Sequence, residues 1–207
     1  VGKNVFRAIA LFIPYIAIGI GLFLFKSGWL AIGLYHAGMI FFLVLDRSRP
    51  PFRLVLKGWN KTWAWLILFC ALSGVAIQFL WPWMQQQVNL DVLLPKYGLS
   101  DASWIRYVFY YSLFHPALEE YYWRGYLGHY SKRIRIEDVA FAGYHFFTML
   151  CFVQWPWALL TFLILTGMAW LWRQSARQTE GLLIPTLAHM AAAVSISLAV
   201  SFLLRSA

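Results

Sequence analysis

The sequence predicts an all-α fold, a polytopic transmembrane helical bundle of about seven spans, and three observations carry that prediction. Hydrophobic residues make up 61% of the chain and charged residues only 12%, with a mean hydropathy of +0.63, well outside the range of soluble domains. Several apolar runs reach or approach the ~20 residues that a bilayer core of about 30 Å requires of a helix. The 17 Lys and Arg, against 8 Asp and Glu, gather between those runs. Basic residues so placed encode orientation in a lipid bilayer, and no nucleic-acid partner is expected.

The first span, 5–25, follows Lys3 and Arg7. It is long and lacks a small-residue cleavage site, so it reads as retained and not as a secretory signal. Span two covers 28–45, and the connector 46–61 behind it holds Arg47, Arg49, Arg53, Lys57 and Lys61. Span three is 62–82 and span four 104–128, followed by Lys132, Arg133 and Arg135. Spans five to seven are 139–154, 157–173 and 183–204, with Arg173 and Arg177 placed after span six. All three basic connectors fall on one side. With Lys3 and Arg7 they predict a multi-pass cell-membrane protein with a cytoplasmic N-terminus and an external C-terminus. Lys26, Lys96, Asp91 and Asp101 take the other side. Two Trp-Pro-Trp sequences, 81–83 and 155–157, fall at that outer boundary, where indoles favour the interface and proline closes a span. Cys70 and Cys151 lie inside spans without metal-like spacing and read as packing residues. No repeat, low-complexity tract or soluble segment interrupts the pattern. The expectation is one membrane domain over 1–207, with N-terminal spans in 1–100 and the chemistry-bearing half in 101–204.

The acidic residues Asp46, Asp91, Asp101, Glu137, Asp138 and Glu180 lie at span ends or in connectors, but Glu119 and Glu120, within "ALEEYYWRGYLG" (117–128), do not. If span four ends near Gly128, Glu119 lies about 14 Å inside the boundary at 1.5 Å per residue. Each acid or arginine near a helix centre costs roughly 2.5–3.5 kcal/mol on insertion scales, so the set needs partners or water. Glu120 and Arg124 are four apart with the acid first, the favourable order for an ion pair on one face. Glu119 points about 100° away and is left as the freer carboxylate, suited to general-base work. The plainer reading is that all three knit helices together.

His145 in "FAGYHFF" and His189 in "PTLAHMAAA" lie about 10 Å inside the same ends of spans five and seven. Independent spans delivering polar groups to one depth favour a shared site. Ala188, Ala191, Ala192 and Ala193 allow close helix approach around His189. His115, one turn before Glu119, can join the site, although Pro116 also explains that position as a kink. His36 and His129 read as ordinary interfacial residues.

Three segments in this order resemble the CPBP family of intramembrane proteases, also called CAAX-type or Abi proteases. "EEYYWRG" (119–125) matches Glu-Glu-x-x-x-Arg, "FAGYH" (141–145) matches Phe-x-x-x-His, and "HMAAA" (189–193) takes the place of His-x-x-x-Asn. The likeness covers roughly 100–204. It implies peptide-bond hydrolysis by a water that Glu119 deprotonates, with His145 helping to hold that water and His189 facing the oxyanion. Glu120 and Arg124 would be the supporting pair, and Phe141 would line the pocket or fix its helix. Ala193 departs from the pattern, because a methyl group cannot donate the hydrogen bond of the family's asparagine.

The resemblance implies no cofactor. The alternative is zinc held by His145, His189 and a glutamate, a ligand set that some catalytic zinc sites use. A nonenzymatic scaffold or immunity protein with a degenerate site, or a proton-coupled transporter, would also place carboxylates and histidines in spans. The expected partner is a membrane protein or lipidated peptide, within the family's range of prenylated proteins, peptide precursors and C-terminal sorting tails. Neither the particular substrate nor the oligomeric state is written in the sequence.

Overall fold

The computed structural model describes residues 2–206, with the side chains of residues 5–205; the Lys3 side chain, part of the orientation argument, lies outside the described residues. All regular structure there is helical, and the one β-type contact is an isolated bridge between Gln85 and Val153. The helices are α1 (Gly2–Ala10), α2 (Ile13–Ile18), α3 (Gly28–Leu45), α4 (Trp65–Ala71), α5 (Ser73–Met84), α6 (Leu90–Lys96), α7 (Asp101–Glu120), α8 (Ile136–Met149), α9 (Trp155–Thr179) and α10 (Leu183–Ser206). A π-helical turn, Gly19–Leu24, prolongs α2, and a second, Tyr121–Tyr126, prolongs α7.

Among the described residues, five stretches are long and apolar enough to cross a bilayer: Val5–Leu24, Gly28–Leu45, Trp65–Met84, Trp155–Thr179 and Leu183–Arg205. The other two expected spans are the helices that carry Glu119 and His145. Helix α7 is diluted by Asp101, Arg106, Glu119 and Glu120, and α8 is only 14 residues long. Both turn the faces that carry these residues inward; α7 adds exposed Ile105, Phe109 and Phe114 to the surface that Phe12, Leu24, Leu68, Phe79, Leu163 and Leu198 of the apolar stretches offer to lipid. The chain is a multi-pass membrane protein.

Helix α10 packs against α4, α5, α7 and α9, and the pair α8–α9 closes the other flank. Small residues set the closest approach. A Cβ on Gly74 would collide with the Ser195 carbonyl oxygen, and in its place the Gly74 N–H donates to Ser195 Oγ at 2.7 Å. Ser27 caps α3 by accepting from Leu30 N at 3.2 Å. At the other end of α3, Asp46 accepts from the backbone and hydroxyl of Ser48, bonds that hold its carboxyl below the usual carboxylate range.

The three basic connectors share one end of the bundle: a single surface pocket is lined by Pro50, Leu54, His129, Tyr130, Arg177 and Glu180. There Leu182 N donates to Leu54 O and Leu183 N to Lys57 O, both at 2.8 Å. Two boundaries differ from expectation. Helix α9 continues past Arg173 to Thr179 and stops where Glu180 turns left-handed (φ 51°). Arg173 is therefore a buried residue of the helix and not a connector charge. Its guanidinium grips Asp138 in bidentate fashion at 2.9 and 2.6 Å and donates to the carbonyls of His129, Ser131 and Arg133, which folds the connector over the end of α9. The second Trp-Pro-Trp opens a span and does not close one: Pro156 sits in the first turn of α9, where a missing N–H costs nothing. Gln154 N donates to Met84 O at 3.0 Å, so both Trp-Pro-Trp sequences do lie at one end.

Candidate active site

Helix α7 delivers His115, Glu119 and Glu120 to the interior, and the π turn that follows widens the helix where Arg124 must reach back beside Glu120. Single π turns are a recurrent feature of functional sites. Glu119 and Glu120 are fully buried. Glu120 Oε1 lies 3.2 Å from an Arg124 terminal nitrogen, the ion pair expected from their spacing, and 2.9 Å from His189 Nδ1.

Glu119 is not the freer carboxylate that the helical wheel suggested. Its Oε1 accepts from the hydroxyls of Tyr35, on α3, and Tyr144, on α8. Tyr35 is itself fixed by the Trp123 indole N–H at 2.6 Å. What stays open is Oε2, a buried oxygen without a hydrogen-bond partner among the described residues. It lies 3.1 Å from His115 Nε2 and 3.6 Å from His189 Nε2. A carboxylate anchored through one oxygen and free at the other is oriented without being used up.

His145 Nδ1 lies 2.8 Å from the Phe141 carbonyl. A carbonyl only accepts, so the proton is on Nδ1 and Nε2 presents a lone pair, 3.2 Å from the Tyr144 hydroxyl that also serves Glu119. By the same logic His189 Nδ1 carries a proton toward Glu120 and turns Nε2 toward Glu119 Oε2. Phe141 is buried at the centre of this arrangement. Its ring centroid lies 4.0 Å from the Arg124 guanidinium carbon and 4.6 Å from the His145 ring. Trp172 covers the other side, 5.1 Å from Arg124 and stacked on His189 at 5.0 Å. Ala193 is buried one turn beyond His189 and contributes only its methyl group.

Glu119, Glu120, Arg124, Phe141, His145 and His189 are thus brought together, and His115 joins them. The interfacial reading of His36 is overturned: it is buried halfway along α3, with its Nε2 2.9 Å from His115 Nδ1 and its Nδ1 on the Tyr110 hydroxyl. The middle of a spanning helix is too deep for an interface. His129 is exposed beyond the π turn. Tyr35, Tyr144, Trp123 and Trp172 were not anticipated, although a Tyr-His pair recurs in "GLYHAG" (33–38) and "AGYHFF" (142–147). Each pair puts a hydroxyl on Glu119, while His36 reaches it through His115 and His145 lies against the Tyr144 hydroxyl.

Residues 101–195 match the family described as Rce1-like, type II CAAX prenyl endopeptidase Rce1-like. This part of the chain is similar to the CAAX-type protease family. The match takes in α7, α8, α9 and most of α10, that is, every element of the site except α3. It supports reading the chain as a membrane-embedded protease acting on peptide substrates. A search of curated proteins and of solved structures finds no match. As for the zinc alternative, no group of three or more His, Cys, Asp or Glu among the described residues is arranged to hold a metal ion. His145 and His189 each use Nδ1 on a protein acceptor and turn Nε2 to different neighbours, Tyr144 and Glu119. A proton held on Nδ1 leaves Nε2 as the coordinating atom of each ring, as in metal-binding histidines, but no third ligand joins them in a metal-holding group among the described residues, and no step below uses a metal.

Proposed function

We propose that the chain is an intramembrane glutamic endopeptidase that hydrolyses a peptide bond in a membrane protein or lipidated peptide, with Glu119 as general base. The observation that carries this reading is the buried Glu119 carboxylate, clamped at Oε1 by Tyr35 and Tyr144 and open at Oε2 toward two histidine nitrogens. Water bound at Oε2 gives up a proton to Glu119 as its oxygen attacks the amide carbon. His145 Nε2, with its lone pair free, accepts the second water proton as a hydrogen bond and aims the nucleophile. The tetrahedral oxyanion then collapses, Glu119 passes its proton to the leaving nitrogen, and the C–N bond breaks to give a carboxyl and an amine.

The oxyanion needs a donor. Because His189 Nδ1–H is committed to Glu120, its Nε2 can donate only if the ring is an imidazolium. Geometry supports that form: a carboxylate oxygen faces each ring nitrogen, Glu120 2.9 Å from Nδ1 and Glu119 3.6 Å from Nε2. His189→Ala should therefore lower kcat about 10²–10³-fold, the usual cost of one oxyanion donor. Ala193→Asn adds a donor on the same face and should leave turnover equal or higher, while costing about 1–3 kcal/mol of stability because the position is packed. Steady-state kinetics on one cleavable peptide and thermal unfolding in detergent read both effects. Full activity in His189→Ala would remove it from the site.

The basic end of the bundle is assigned to the cytoplasm, with the N-terminus there, on the strength of Arg47, Arg49, Arg53, Lys57, Lys61, Lys132, Arg133 and Arg135. Reporter fusions after Lys61 and Arg135 should read cytoplasmic, and an external signal at either would move the site to the other leaflet. The activity itself is tested by mass spectrometry of membrane proteins from cells carrying the wild-type chain or Glu119→Gln. A peptide shortened only with wild type supports the protease reading, and identical profiles favour a scaffold.

A further inference from the structure

Beyond the two motif histidines, a second pair of histidines lies in the interior, one of them on a helix outside the family match. His36, on α3, and His115, on α7, are both buried, with rings stacked at 5.2 Å and 21°. A continuous series of polar contacts runs from the half-buried Tyr110 hydroxyl to His36 Nδ1, from His36 Nε2 to His115 Nδ1 at 2.9 Å, and from His115 Nε2 to Glu119 Oε2 at 3.1 Å. Tyr111 stacks on the outer face of His115 at 4.9 Å and holds the ring in place.

Two directions of donation are open to neutral rings in such a series, and they are not equivalent. If Tyr110 accepts, both histidines carry their protons on Nδ1, and His115 Nε2 presents a lone pair to a carboxylate oxygen 3.1 Å away, which is repulsive. If Tyr110 donates, His36 Nε2–H donates to His115 Nδ1, and the His115 proton sits on Nε2 beside Glu119 Oε2, which is attractive. The geometry points to the second arrangement: Tyr110, His36 and His115 form a hydrogen-bond chain polarised toward Glu119, in which His36 is a positioning residue that fixes the His115 proton on Nε2. This rests on the reading of Glu119 as general base. An N–H beside Oε2 fixes the plane of a carboxylate already anchored at Oε1 by two hydroxyls. The other groups facing Glu119 are Tyr35 from α3, Tyr144 and His145 from α8, and His189 from α10, with Glu120 and Arg124 behind His189. The hydrogen bond at His115 Nδ1 goes to His36, so the proton position on that ring falls to His36.

The first test does not depend on activity. In the full-length protein labelled with ¹⁵N-histidine, His36 and His115 should both appear as Nε2–H tautomers, with coupling across the His36 Nε2–H to His115 Nδ1 bond. A Nδ1–H tautomer at His115 overturns the proposal, whatever the protein cleaves. The second test uses a quenched fluorescent peptide whose hydrolysis is lost in Glu119→Gln. His36→Leu should lower kcat about ten- to a hundredfold with little change in KM, in keeping with loss of a hydrogen bond that serves a charged group. His36→Gln, whose amide can still donate to His115, should recover most of the rate. In a His115→Leu background, His36→Leu should cost nothing further, because its effect acts through that ring. Unchanged kcat in His36→Leu, or equal losses in the Leu and Gln variants, would reduce His36 to a packing residue while leaving the role of Glu119 untouched.

Discussion

Replacing Glu119 by glutamine lowers kcat by about 10²–10⁴-fold, the range that a positioned general base contributes, while the protein still inserts and stays monodisperse. The two expectations follow from different oxygens. The amide oxygen of glutamine can still accept from the Tyr35 and Tyr144 hydroxyls at the position of Oε1, so the bridge between α3, α7 and α8 survives. The amide nitrogen replaces Oε2, the atom that would take the proton of water, and an amide has no basicity to offer there. The measurement is turnover of a cleavable peptide by purified protein, with size-exclusion elution as the control for folding. Wild-type turnover in this variant would show that another group activates water.

Much of the architecture was legible because the bilayer imposes a simple rule, that every spanning backbone hides its polar groups in a helix behind apolar side chains. Where a helix turns a polar face toward others the rule weakens, and there the sequence understated what the structure builds: α7 and α8 fall short of the apolarity or length of a span and carry the polar heart of the protein. The Glu120–Arg124 pair was readable because it lies within one helix, where spacing alone fixes proximity. Tyr35 and Tyr144 were not, since a tyrosine in a membrane helix is ordinary and its hydroxyl acquires meaning only from a carboxylate 84 or 25 positions away. Arg173 was misplaced for a similar reason. A basic residue near a span end fits the orientation rule, and only the bidentate grip on Asp138 reveals it as a buried tie between α8, α9 and the connector between α7 and α8.

Glu120→Gln should behave unlike Glu119→Gln, losing both stability and rate. The new amide can still accept one hydrogen bond, but the charge that offset Arg124 and imidazolium His189 is gone, and the cluster would carry a net positive charge in a buried site. Removing one partner of a buried ion pair typically costs about 3–5 kcal/mol. Here Arg124 keeps the face of Phe141 at 4.0 Å, a contact that offsets up to about 2 kcal/mol when desolvated, so the loss should fall near the lower end. Without the Glu120 carboxylate at Nδ1, the His189 ring loses the charged acceptor that aims its Nε2, so the oxyanion donor is lost even though no atom of His189 has been changed. The expected result is a lower unfolding temperature in detergent together with a kcat reduced about as far as in His189→Ala, or 10²–10³-fold. Adding Arg124→Met to Glu120→Gln removes the stranded cation and should return most of the stability, because replacing both members of a buried pair with groups of like volume is commonly neutral or better. It should not return the rate, since His189 still lacks the carboxylate that holds its ring in place. If the double variant recovered turnover as well as stability, Glu120 would be a structural tie alone, and the oxyanion would need a donor other than His189.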